Sequence, residues 1–202
     1  MNEEKLKDQV SSYLISSSEV KKRAAVEISD SIASAAKMVI SCYKNGGKLL
    51  ICGNGGSAAD SQHIAAEFVS ILRPEFPRPA LPAIALTTDT SIMTARGNDY
   101  GFGEVFSRQL EALGISNDIL IGISTSGNSA NVVSAVVKAN QLKVKTISLT
   151  GDSGGKLKEN SDLTICVPSK STQHVQETHI AIAHIICQLV EEELFPNSKN
   201  DF

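Results

Sequence analysis

Five short runs in this chain are almost wholly apolar, and stretches with helical character separate them. The runs are 48–52, 83–87, 119–123, 145–149 and 163–167, and the intervening helical stretches fall near 57–72, 104–113, 129–140 and 172–195. A strand apolar on both faces must be covered on both faces, which is the signature of a parallel sheet rather than an antiparallel one with a wet side. Strands that alternate with helices build β-α-β units. The pattern therefore predicts an α/β fold: a three-layer sandwich around a five-stranded parallel sheet.

N-terminal helices are predicted to precede that sheet. Leu6, Val10 and Leu14 recur every four residues, and Ile28, Ile32, Ala35 and Val39 continue at helical spacing, so residues 1–45 read as helix. Asn45-Gly46-Gly47 supplies a left-handed stop. No Pro- or Gly-rich linker divides the chain, so residues 1–202 are expected to form one domain, with 196–202 a flexible tail. The last helix carries two apolar stripes: Val175, His179, Ile182, Ile186 and Leu189 form one, and Ile180, Ala183, Cys187, Val190 and Leu194 the other. A helix apolar on two faces is buried on two faces. With the surplus stripe of the first helix, this predicts a homo-oligomer in which residues 1–45 are oligomerisation helices.

The chain is 42 % hydrophobic and 20 % charged with a formal charge of −3, enough for a core and wrong in sign for phosphate-driven nucleic-acid binding. No apolar run approaches a membrane span. Met1-Asn2-Glu3-Glu4-Lys5 has no signal-peptide character. The cysteines Cys42, Cys52, Cys166 and Cys187 form no C-x-x-C pair and read as free thiols of a cytoplasmic protein.

One unit occurs twice. Leu49-Leu50-Ile51-Cys52 leads into Gly53-Asn54-Gly55-Gly56-Ser57-Ala58, and Leu120-Ile121-Gly122-Ile123 leads into Ser124-Thr125-Ser126-Gly127-Asn128-Ser129-Ala130. Each is a strand, a Gly/Ser loop and a helix start, where orphan backbone N–H groups and the helix dipole attract anions. The second loop adds the hydroxyls of Ser124, Thr125, Ser126 and Ser129. Hydroxyls and amides without a lysine suit the phosphate monoester of a sugar; the nucleotide-binding P-loop is absent. The first loop lacks the third glycine of a dinucleotide fingerprint, so no nucleotide cofactor is expected. The blander reading is ordinary N-capping by Ser57 and Ser129. If the two strands are neighbours, both loops open into one crevice at a topological switch point.

His63 and Glu67 follow the first loop at helical i, i+4 spacing, and Gln176 and His184 lie on the last helix. Three readings stay open. Glu67 and His184 form an acid/base pair able to move a proton between adjacent sugar carbons. His63, Glu67, Gln176 and His184 together ligate a divalent ion, zinc above all. Or His63 and Glu67 face solvent, while Glu177, His184, Gln188 and Glu191 form a wet polar stripe. Asn98-Asp99-Tyr100-Gly101 ends a helical stretch and reads as loop-like, which would let Asn98 or Asp99 reach the crevice.

At these residues the sequence resembles the sugar isomerase (SIS) domain family and, within it, the phosphoheptose isomerases. The matching stretches run from Cys52 to Asp60 with Gln62-His63 and Glu67, from Leu81 to Leu86, from Gly97 to Gly101, from Ile123 to Asn131, and from Val175 to Ile180 with His184. The resemblance implies a SIS-type, flavodoxin-like sandwich. It also implies an aldose–ketose isomerase that converts sedoheptulose 7-phosphate to D-glycero-D-manno-heptose 7-phosphate through an enediol, toward ADP-heptose and the lipopolysaccharide core. Carried over, Glu67 and His184 are the catalytic pair. Ser124, Thr125, Ser126 and Ser129 hold the phosphate, with Ser57 assisting. Asn54, Gly55, Gly56, Asn98, Asp99 and Gln176 position the sugar, and zinc-containing members use the equivalents of His63, Glu67, Gln176 and His184 as ligands. The family is homotetrameric, with sites at subunit interfaces. The chain departs from the family pattern at Ser70–Arg73, where a Gly-Arg pair is common, and at Gln173-His174. A non-catalytic relative that binds a replication-initiator protein lacks the acid/base pair; Glu67 and His184 are both present here, which favours the enzyme.

Overall fold

The computed structural model describes residues 2–196; of the expected tail, residues 197–202 lie outside the described residues. Helices α1 (Glu3–Glu27) and α2 (Ser29–Lys44) lead into β1 (Leu49–Gly53) and α3 (Gly56–Val69). Then come β2 (Ala83–Ala85), α4 (Thr90–Tyr100), a 3₁₀ turn at Phe102–Glu104 and α5 (Val105–Leu113). The chain continues through β3 (Ile119–Ile123), α6 (Ala130–Leu142), β4 (Lys145–Thr150), α7 (Gly155–Asn160), β5 (Leu163–Cys166) and α8 (Thr172–Leu194).

All strand pairs are parallel, in the order β2-β1-β3-β4-β5. The two strands of the repeated unit are neighbours, with Leu49 opposite Ile119 and Gly53 opposite Ile123. Connections leave β1 in opposite directions, toward β2 and toward β3, so the loops after β1 and β3 flank the switch point.

The period of two along each strand sorts its side chains into two cores. Leu49, Ile51, Ile121, Ile123, Ile147 and Leu149 join the residues of α2, α3 and α8 on one face. Leu50, Cys52 and Leu120 join Val105, Phe106, Leu110, Val132 and Val136 on the other. Each fully buried Leu or Ile contributes roughly 1.5–3 kcal/mol, so neither face of β1 or β3 tolerates exposure. The edge strands depart from the predicted two-sided burial. Ile84 of β2 is 38 % exposed, because an edge has a neighbour on one side only.

The sequence reading needs correction at several boundaries. The helical region predicted over 1–45 divides into α1 and α2 at Ile28 (φ −130°), although Ile28 N–H still donates to Ala24 and Ile32 N–H to Ile28. The bend aims Ile32, Ala35 and Val39 at the sheet while α1 leaves it to lie along α8. The second run shortens to Ala83–Ala85, and α3 ends at Val69 rather than 72, just before Pro74. Asn98, Asp99 and Tyr100 are the last turn of a helix, not a loop. That helix, α4, is capped by Asp89, which accepts from Ile92 N–H (2.8 Å), and it buries no residue, so no apolar period betrays it. The short α7 also escaped the periodicity. Cys42, Cys52 and Cys187 are buried free thiols as expected, and Cys166 is half-buried. Among the described residues no helix is long and apolar enough to cross a membrane.

Candidate active site in the crevice between β1 and β3

The loop after β3 is held from three directions. Ser124 N–H donates to Leu149 (3.0 Å), Gly151 N–H to Thr125 (3.0 Å), and Leu157 N–H of α7 to Gly127 (3.0 Å). Gly127 stands at φ +69°, and a Cβ there would strike the Gly154 carbonyl, so only glycine lets the loop lie this close to α7. Within the loop, Ser124 Oγ is 2.9 Å from Ser129 Oγ and 3.4 Å from Ser126 Oγ. Three hydroxyls, of Ser124, Ser126 and Ser129, therefore gather at the N-terminus of α6. Ser129 occupies the N-cap position, yet its side chain makes no capping bond. Ser57 is not a cap either: Gly55 holds that position in α3 and Ser57 is buried in the first turn. The plain capping account thus fails for both serines.

The two loops are tied together by a reciprocal amide pair. Asn54 Nδ2 donates to Asn131 Oδ1 and Asn131 Nδ2 to Asn54 Oδ1, both at 2.8 Å. Asn131 is buried, and nothing in the sequence paired these two residues.

Beyond the first loop, α3 and α8 run side by side. His63 Nε2 is 2.9 Å from Glu67 Oε1 and 3.1 Å from His184 Nε2. One donor atom from each of His63, Glu67 and His184 lies within 4.8 Å of the others. Two imidazole nitrogens and a carboxylate converging on one point are a donor set suited to zinc. Gln176 lies further up α8, separated from His184 by about 12 Å of helical rise. Its amide lies flat on the Cα of Gly56, where any Cβ would collide with it. It also faces Asp60, whose carboxyl is pushed up by partial burial and pulled back by Gln176 and His63. Asp60 and Gly56 sit one α-helical turn apart on α3, which is why Gln176 meets both. Asn98 and Asp99 are exposed on α4, where the Asn98 amide donates to Asp99 (2.8 Å); among the described residues no hydrogen bond joins them to either loop.

The wet-stripe reading of α8 fails at Glu191 and holds at Gln188, which is exposed, with Glu177 and His184 half-buried. Glu191 is fully buried, and Glu177 accepts hydrogen bonds from Tyr13 (2.6 Å) and Ser17 on α1. His179, which the sequence sets on an apolar stripe of this helix, is wholly buried, and its Nε2 lies 3.0 Å from the Thr150 carbonyl, a partner the stripe does not reveal. That contact anchors the end of β4 behind the hydroxyl loop. Burial pushes the His179 imidazole down to about 4, against the opposing pull of the Thr150 carbonyl.

A parallel sheet in this strand order, with a hydroxyl-bearing loop at its switch point, is a flavodoxin-like, doubly wound α/β domain, and residues 12–151 match the SIS domain model. The chain is a SIS-domain protein. It is 54 % identical over 177 residues to a phosphoheptose isomerase of Roseiflexus sp. (strain RS-1), covering 88 % of this chain and 89 % of that one. A phosphoheptose isomerase of Aneurinibacillus thermoaerophilus is 52 % identical over 194 residues, 95 % of this chain and 97 % of the relative. The solved phosphoheptose isomerase of Neisseria gonorrhoeae superposes with a TM-score of 0.87 at 44 % identity, over 93 % of this chain and 99 % of that one. The chain belongs to the phosphoheptose isomerase family.

Proposed function

We propose that this protein isomerises sedoheptulose 7-phosphate to D-glycero-D-manno-heptose 7-phosphate, supplying ADP-heptose and lipopolysaccharide-core synthesis in the cytoplasm. The observation that carries the reading is the convergence of a carboxylate and two imidazoles beside paired Gly/Ser loops. The 124–129 loop with the N-terminus of α6 takes the phosphate: Ser124, Thr125, Ser126 and Ser129 donate hydroxyls, with Ser57 assisting, and the helix dipole favours the dianion. Asn54, Gly55, Gly56, Asn98, Asp99 and Gln176 position the sugar hydroxyls.

Glu67 acts as the base that takes a proton from C1 of the ketose, while His184 protonates O2, giving an enediol. Glu67 then returns the proton to C2, and His184 accepts the O1 proton as the aldehyde forms. Carbon and oxygen protons balance, and no oxidant or reductant is consumed. Where zinc is bound, His63, Glu67 and His184, whose donor atoms converge, would hold it, with Gln176 reaching in from about 12 Å of helical rise away, and Glu67 and His184 would then not be free to carry protons. When bound, the ion polarises the substrate carbonyl and eases loss of the neighbouring proton. The exposed apolar stripe of α1, with Leu6, Val10 and Leu14 uncovered in the single chain, supports a homotetramer in which residues 1–45 form the interface. One domain over 1–202 performs these roles.

The test is turnover of sedoheptulose 7-phosphate by the purified protein beside Glu67→Gln. Loss of a general base is expected to reduce kcat by about 10²–10⁴. A variant within tenfold of wild type, or a wild-type protein inert toward ketose phosphates, would refute the reading. Metal analysis with chelator treatment addresses zinc: activity unchanged after complete metal removal excludes an essential ion.

A further inference from the structure

Glu67 sits in the last turn of α3, where the helix runs out of backbone donors. Ser70 N–H takes the Ala66 carbonyl (2.8 Å) and Leu81 N–H the Phe68 carbonyl (3.0 Å). The Glu67 carbonyl is taken by a side chain: Arg78 Nη2 donates to it at 2.7 Å. Arg78 Nη1 donates to the Phe68 carbonyl at 2.8 Å and to the Pro79 carbonyl at 3.0 Å, and Nε to Glu191 Oε1 at 2.9 Å. The side chains of Arg78 and Glu191 are both 0 % exposed. Glu191 lies on α8, two turns beyond His184, and also accepts from Leu72 N–H at 3.3 Å. Arg78 therefore holds the end of α3 with one side of its guanidinium and α8 with the other.

A buried ion pair is a weak source of stability, because desolvation offsets its attraction and apolar replacements of equal volume often match or exceed it. What this pair supplies is geometry. A planar guanidinium fixes its partners in direction, which a lysine ammonium does not. Its partners here are the backbone of Glu67 and the helix that carries His184.

We infer that Arg78, neutralised by Glu191, is a positioning residue that sets the placement of the Glu67 carboxylate against His63 and His184. The inference rests on the reading of Glu67 as the proton carrier, and adds a residue that touches neither substrate nor reacting atoms.

Two variants test it. Arg78→Lys keeps a buried cation for Glu191 and removes the fork across the Glu67 and Phe68 carbonyls. Arg78→Met combined with Glu191→Leu removes the buried pair, takes Arg78 from the Glu67 and Phe68 carbonyls and leaves Arg73, 3.5 Å from Glu191 Oε2, with Glu192 alone, so it is expected to fold with a lowered melting temperature. Both are expected to lose about ten- to a hundredfold in kcat, as misplacement by an ångström does, with KM within about threefold of wild type. Crystal structures of both should show the Glu67 carboxylate withdrawn from its 2.9 Å contact with His63. A folded variant with wild-type kcat, or one whose Glu67, His63 and His184 superpose on wild type, overturns the inference. If the wild-type protein itself turns over no ketose phosphate, the isomerase reading fails instead, and the crystal geometry still decides the positioning role.

Discussion

His179 illustrates how much a single buried group sets. Burial holds its imidazole neutral, with a folded-state value of about 4 against an ordinary value near 6.5. Between those values the unfolded chain binds a proton that the folded chain refuses. Stability is therefore complete above the unfolded value and falls as pH falls through the window to the folded one. From pH 7 to pH 5 the loss amounts to about 2 kcal/mol. Denaturant unfolding at the two pH values measures it, and His179→Gln is expected to show a shallower fall; equal falls in both proteins would refute the assignment. Gly127 makes a second case. Gly127→Ala places a Cβ against the Gly154 carbonyl and the Gly155 nitrogen at a φ of +69°, where all three contacting atoms are backbone and none can swing away. The expected cost is roughly 1–3 kcal/mol, read as a lower urea midpoint with an unchanged slope. At this scale the sequence was legible where residues are contiguous. The hydroxyls of 124–129 and the His63/Glu67 pair stand out as written. Asn54 with Asn131, and Arg78 with Glu191, are invisible there, because their partners are 77 and 113 positions apart.

Among the elements, the sheet strands were readable because burial on two faces leaves an unbroken apolar run. The central β1 and β3 were placed to within a residue. Of α4 only a helical stretch ending near Asn98 was legible, and not its bounds, because a helix with no buried face writes no 3.6-residue period into the sequence. The bend at Ile28 left no mark either, since apolar spacing continues across it. The contact of α3 with α8 yields a prediction. Gly56→Ala drives a methyl group into the Gln176 amide while leaving the helix intact, because Gly56 is the first residue of α3 and Ala is a better helix former. Fold and melting temperature are expected to survive. kcat/KM for sedoheptulose 7-phosphate should fall on the order of a hundredfold, as for an ångström-scale misplacement. Unchanged kinetics would remove Gln176 from the site.

The whole molecule carries more apolar surface than one chain can cover. Of the 25 residues of α1 only Ser17, Val20 and Ala24 are buried, while Val10 is 60 % and Leu14 63 % exposed. On α8, Ile185 and Leu189 remain exposed. If α1 forms the interface of a homotetramer, light scattering should give four times the 21.5 kDa chain mass. Val10→Glu with Leu14→Glu should then shift the mass to smaller species, since charges buried at an interface are costly unless paired. A double variant with the wild-type mass would exclude α1 from the interface.

The sequence by itself determined what depends on neighbours along the chain: five strands, two Gly/Ser loops at helix starts, and a histidine four residues before a glutamate. Such features are set by the two-residue period of strands, by turn chemistry and by the one-turn reach of a helix, all of them local. The tertiary structure alone decided that β1 and β3 are adjacent, and that α3 and α8 run together so that His63 meets His184 across 121 positions. The same packing buried Glu191 against Arg78 instead of leaving it wet. Each of those outcomes turns on which apolar faces pack against which, a choice that no local stretch of sequence contains.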